Sequence, residues 1–163
     1  MKNLLFASLL LITAACTKEV PETEKKLSKS FEEKSVKETV DNFISAYNSG
    51  DVEKALSFVD PGYKGFATDS DDIEGLDSFR NDLNHYAKQY RDGKWEIKFD
   101  EVTVAGEIAY VLTSGSFLIP DPIEKKMSPI YSERALRILR KQKNDGWKIY
   151  IYMATPMFSY DEK

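Results

Sequence analysis

YSERALRILRKQKNDGWKIYIYMATPM, residues 131–157, reads as two strand-length runs joined by Asn144, Asp145 and Gly146, residues that favour a tight turn. The first run shows apolar alternation with Arg134 set within it. Leu136 and Ile138 share one phase with Arg134, whereas Glu133 and Arg137 share the other. Placing Leu136 and Ile138 inward puts Arg134 inward too. There its planar guanidinium could hold a carboxylate or phosphate bidentately, pair with a core acid, or emerge at a rim. In the second run Ile149 and Ile151 alternate with Tyr150 and Tyr152, so both faces of that strand are largely apolar. One face then needs a second cover, either a partner subunit or the segment 120–129.

Upstream, the same period of two marks two further strands. Trp95, Ile97 and Phe99 alternate with Glu96 and Lys98, and residues 108–119 form a second run with a bend expected at Ser114, Gly115 and Ser116. Pro120, Pro122 and Pro129 bracket a long loop between that run and the hairpin. Before Gly93 the period is helical. Val36, Val40, Phe43, Ile44 and Tyr47 form the apolar stripe of a first helix closed by Asn48, Ser49 and Gly50. Asp51 is placed to cap a short second helix carrying Val52, Ala55, Leu56 and Val59, which Pro61 and Gly62 should stop. A brief extended piece over 63–68 leads to a third helix over 76–90, with Leu76, Phe79, Leu83, Tyr86, Ala87 and Tyr90 on one side. Helices first and consecutive strands afterwards predict an α+β domain whose helices cover one face of a mainly antiparallel sheet.

Composition narrows the function classes. A chain of 163 residues, 42% hydrophobic, can bury a real core, and a net charge of −4 with mixed signs excludes the basic face of a nucleic-acid binder. No nucleotide-binding glycine pattern and no paired-cysteine metal spacing occur, so no cofactor and no metal are expected. The acids Asp69, Asp71, Asp72 and Glu74 lack the spacing of a calcium loop and suit the N-terminus of the third helix. His85, the only histidine, lies well off the apolar stripe of its helix and is expected in solvent rather than as a general base.

The lone cysteine sits in a distinct setting. Lys2 precedes an apolar run over 4–12, too short to span a bilayer, and Thr13-Ala14-Ala15 leads directly into Cys16. This resembles a bacterial lipoprotein signal, which implies a signal peptide over 1–15, acylation of Cys16, and a membrane attachment through the lipid. Thr17 is not an aspartate retention signal, so the outer membrane, on its periplasmic or surface side, is the expected location. Residues 16–32 are rich in Lys, Glu and Ser and read as a flexible stalk, leaving 33–160 as the folded domain.

Within that domain, FISAYNSGDVEKALSFVD (43–60), IEGLDSFRNDL (73–83) and RALRILRKQKNDGWKIYIY (134–152) resemble, in order and spacing, the nuclear transport factor 2-like superfamily. That superfamily includes SnoaL-like cyclases and ketosteroid isomerases. The resemblance implies a cystatin-like, cone-shaped half-barrel: three N-terminal helices on a strongly curved sheet, with a pocket between them and a homodimer through the sheet face. It does not carry the isomerase chemistry over. The positions of the family tyrosine, base and second acid match Phe43, Phe66-Ala67 and a stretch without carboxylate between Glu133 and Asp145. Where many SnoaL-like domains carry a late histidine, this chain has Met153. Pocket candidates are therefore Phe43, Tyr47, Tyr63, Tyr86, Tyr110, Arg134 and Met153, with no catalytic residue assigned. Aromatic walls with a few hydroxyls suit a small apolar or amphipathic ligand, although nine tyrosines also simply fill a core. Three readings stay open: a binding domain for such a ligand or a protein partner, a SnoaL-like enzyme, and a structural accessory of a membrane complex.

Overall fold

The computed structural model describes residues 22–68, 70–143 and 146–157. At its centre lies the hairpin of the opening stretch. β5 (Met127–Gln142) and β6 (Gly146–Pro156) run antiparallel from Glu133 opposite Pro156 to Gln142 opposite Gly146. Gly146 adopts φ +68°, a left-handed conformation that glycine enters without a steric cost. Asn144 and Asp145 lie outside the described residues.

Around this pair the other elements fall in chain order: α1 (Glu22–Asn48), α2 (Val52–Leu56), β1 (Val59–Ala67), β2 (Ile73–Glu74), α3 (Gly75–Gln89), β3 (Lys94–Ala105) and β4 (Ile108–Pro120). The six strands form one open mixed sheet ordered β2-β1-β6-β5-β4-β3. Its pairs are antiparallel except β1 with β6, which run parallel. The helices pack on one face, giving the expected α+β, cystatin-like architecture. Val36, Val40, Phe43 and Ile44 of α1 and Phe79 and Leu83 of α3 are buried against Val111, Leu139 and Ile149 of the sheet. Each such side chain contributes about 1.5–3 kcal/mol by leaving water.

Several boundaries differ from the sequence reading, each for a local reason. α1 begins at Glu22, so residues 22–32, read as stalk, include its first turns. Lys29 faces Glu33, and Glu32 accepts from Lys141 Nζ at 2.5 Å and from Trp147 Nε1 at 2.9 Å, tying this polar part of the helix to the sheet. α2 is shorter than expected, capped as anticipated by Asp51 on the Lys54 amide. Val59, Pro61 and Gly62 belong to β1. Pro61 is tolerated because the β1–β6 register shifts between Val59 and Lys64, where no ladder bond is required of it. The long loop reduces to 121–126: Pro120 ends β4, and Pro129 lies inside β5 opposite Leu118.

The bend expected at 114–116 is absent. Pairing continues through Gly115 opposite Glu133, and the shift comes later, between Phe117 and Leu118. Gly115 serves another purpose. A Cβ there would lie 2.8 Å from the Glu96 carbonyl oxygen of β3, so the close approach of the two strands requires glycine. Among the described residues no helix is long and apolar enough to cross a membrane. Cys16 and the signal segment lie outside the described residues.

Candidate functional site

Which residues reach the space between helices and sheet is decided by the pleat of β5. Glu133, Ala135, Arg137 and Leu139 are buried on the inner face, whereas Arg134 is exposed on the outer one. The expected phase is thus reversed. β6 explains part of the reversal: Ile138 lies opposite Ile151 but Leu139 opposite Ile149, leaving Tyr150 as an extra residue. This bulge turns Ile149 and Tyr152 to the same inner side, and Tyr150 stacks instead under Arg140, 3.2 Å from guanidinium carbon to ring centre.

The inner face therefore carries charge. Tyr152 donates its hydroxyl to Glu133 Oε1 at 2.5 Å, and Arg137 Nη1 donates to Thr113 Oγ1 at 2.6 Å. Arg137 Nη2 lies 4.0 Å from Glu133 Oε1, and its guanidinium carbon sits 4.9 Å from the centre of the Tyr152 ring. Glu133 and Arg137 are 3% and 4% exposed, so these interactions operate in a largely water-free setting. Burial raises the Tyr152 phenol above its ordinary range, and the Glu133 charge adds to the effect. Tyr152 is thereby held as a neutral donor.

Above this network lies a cavity of about 390 Å³. Its walls are aromatic. Tyr63 stacks on Phe79 at 4.3 Å, Tyr90 meets Phe117 edge-on at 5.4 Å, and Trp95 lies 5.5 Å from Phe117. Two backbone devices hold the walls. Asn48 clamps Trp95 through both ends of its amide, Nδ2 to the Trp95 carbonyl and Oδ1 from the Trp95 N–H, each at 2.8 Å. Gly93 leaves room for the Phe117 ring: a Cβ there would stand 2.9 Å from Phe117 Cε1 and 3.1 Å from the Tyr90 carbonyl oxygen. Burial raises the phenols of Tyr47 and Tyr63, and the Asp82 charge contributes to both shifts.

Asp82 itself was missed by the sequence reading, as was Glu133 with its partners. Asp82 lies three residues after Phe79 and next to Leu83 on the stripe of α3, so an acid inside an apolar repeat was the signal. It lines the cavity, half-buried, and desolvation raises its carboxyl above the ordinary value, with His85 opposing. His85 is exposed, and Asp71 lies exposed at the rim.

Of the residues singled out beforehand, Phe43, Tyr47, Tyr63 and Tyr86 line the cavity. Tyr110, Arg134 and Met153 do not, and for them the expectation is corrected. All three belong to the outer pleat: Tyr110 donates to Glu101, Arg134 pairs opposite Thr155, and Met153, opposite Leu136, is 47% exposed. Phe43, Phe66 and Ala67, at the positions matching the family tyrosine and base, do line the cavity and offer no hydroxyl or carboxyl there. Among the described residues no group of three or more His, Cys, Asp or Glu side chains is gathered to hold a metal. Asp69 lies outside them.

Solved structures share this architecture. A nuclear transport factor 2-like protein with a cystatin-like fold from Novosphingobium aromaticivorans superposes with a TM-score of 0.74 at 12% identity, covering 90% of this chain and 94% of the other. A candidate dehydratase of the same family from Streptomyces avermitilis gives 0.67 at 16%, covering 80% and 99%. A ketosteroid isomerase-like protein from Erwinia carotovora gives 0.62 at 14%, covering 78% and 98%. At such identities the likeness carries the fold alone. No curated protein matches the sequence. The family model described as the SnoaL-like domain matches residues 36–158, from the middle of α1 through β6. The chain belongs to the SnoaL-like domain family, built on the nuclear transport factor 2-like fold.

Proposed function

We propose that this protein is a lipid-anchored extracytoplasmic binding domain whose cavity holds a small amphipathic molecule without transforming it. The observation that carries the reading is the state of the polar groups at the cavity floor. Glu133 already receives the Tyr152 hydroxyl, and Arg137 already donates to Thr113 beside Glu133. Among the described residues no buried side-chain nitrogen or oxygen lacks a partner. Such a network holds its own members in place, whereas a nucleophile or base must be able to leave its resting partner to react. The aromatic walls supply the apolar contact area that binding sites of this size use.

Incubation of the purified domain with an extract of the producing cells, followed by mass spectrometry of what denaturation releases, tests the reading. A bound molecule recovered chemically unchanged after long incubation is expected. Steady conversion that Asp82→Asn or Glu133→Gln abolishes would overturn it.

That second outcome belongs to the enzyme reading, for which one feature speaks. Asp82 combines a raised pKa with a place on the cavity wall, as a proton-transfer group would. Anchoring rests on the sequence around Cys16. Metabolic labelling with a palmitate analogue should mark the protein and fail to mark Cys16→Ser. The outer pleat, with Leu112, Leu136, Ile138 and Met153, is the face we assign to a second copy or another protein partner. Self-association lost on Leu136→Glu would support the homodimer.

A further inference from the structure

The cavity holds an excess of negative charge in front of its aromatic walls. Arg137 is the only cation among its described lining residues, and Glu133 lies beside it, so those two charges largely cancel at the floor. Asp82 on the wall and Asp71 at the rim have no cationic counterpart in the lining. Asp82 differs from Glu133 in a second respect. No described residue donates a hydrogen bond to its carboxylate, and His85, whose charge opposes its raised pKa, is exposed one turn along α3. Keeping an acid in the apolar stripe beside Phe79 and Leu83, half out of water and without a donor, costs stability that a leucine there would not. It shares the cavity wall with Tyr47 and Tyr63, whose phenols feel its charge and whose rings can attract cations.

From this arrangement we infer that the ligand is an organic ammonium: an apolar or aromatic body carrying one positively charged nitrogen, held by Asp82 and the tyrosines that line the same cavity. The apolar body fills the space between Tyr63, Tyr90, Trp95 and Phe117. The ammonium supplies the donors that Asp82 lacks and meets the tyrosine ring faces where they are electron-rich. A carboxylate ligand is disfavoured, since it would enter past Asp71 and Asp82 to reach an arginine already engaged by Thr113 and Glu133.

This inference rests on the binding reading above, and the experiment separates the two. Phenylbutylamine, phenylbutanol and phenylbutyrate share one apolar body and differ in head-group charge. Calorimetric titration of the whole domain with each should rank the amine tightest, about tenfold tighter than the alcohol, and the carboxylate weakest. Asp82→Asn should remove the amine's advantage, and Asp82→Glu should retain most of it. Equal affinity for amine and alcohol overturns the inference while leaving the binding domain intact. A carboxylate that binds tightest also overturns it, and assigns Arg137 as an anion anchor. An amine preference unchanged in Asp82→Asn removes Asp82 from the site. Failure of all three probes to bind overturns both readings.

Discussion

Two glutamates in this molecule are held by the same kinds of partner to opposite effect. Glu32 accepts from a lysine and from the indole of Trp147; Glu133 accepts from the phenol of Tyr152 and lies beside an arginine. Glu32 joins α1 to the sheet at the surface, where water shares the cost of both charges. Glu133 lies under the cavity, where water does not, and there a charge without its partner becomes a liability. The partner lists are nearly interchangeable, so burial sets the difference between an ordinary clamp and a site.

The comparison is broken most severely at Arg137. Arg137→Met leaves Glu133 charged and buried, and chemical denaturation should show a loss of about 3–5 kcal/mol. Adding Glu133→Gln to the same protein should restore most of that loss. A double variant no more stable than the single one would mean the pair is not coupled. The surface clamp should yield far less. Lys141→Met should cost about 1 kcal/mol or less, because both charges retain water. Hydrogen bonding to Lys141 holds the Glu32 carboxyl below its ordinary value of 4.5, so its contribution is present above that value and lost as pH falls through the folded-state pKa. Acid titration of stability for wild type and Glu32→Gln should converge only below that point.

Asp82 is the opposite case, a carboxylate to which no described residue donates a hydrogen bond. Its pKa is raised, so ionisation is a cost that grows as pH rises through the folded-state value. Asp82→Asn should therefore melt slightly higher than wild type at neutral pH, by about 1–3 °C. The gain should vanish in acid, below the ordinary aspartate value of 3.8. A variant that melts lower at neutral pH would show that the wild-type carboxylate has a stabilising partner.

The fold was legible in the sequence because its signals are local. Asp51 before an apolar repeat, the turn ending in Gly146, and the alternation of Trp95, Ile97 and Phe99 each have one structural meaning. The inner face of β5 was not legible. Its two phases offer Ala135 and Leu139 against Leu136 and Ile138, nearly equal in apolar content, and periodicity cannot choose between them. The choice is made across the sheet, by the bulge at Tyr150 and by Thr113 waiting for Arg137 on β4. The start of α1 was hidden for a similar reason, since a tertiary contact to Trp147 anchors a segment whose own composition reads as stalk. Phe43, Tyr47, Tyr63 and Tyr86 were found because helical stripes and the family likeness point the same way. Tyr110, Arg134 and Met153 were misplaced by a single pleat reversal.

The parallel pairing of β1 with β6 has a consequence for the order of folding. Among the described residues β1 pairs, besides the two-residue β2, only with β6, which lies some ninety residues later. Until residues 146–157 take their place, β1 has no long strand to pair with and stays detached from the β3–β4–β5 part of the sheet, on which α1 also packs. Tyr152, which tethers Glu133, lies on that same strand. The cavity floor is complete only once β6 has docked and set Tyr152 against Glu133.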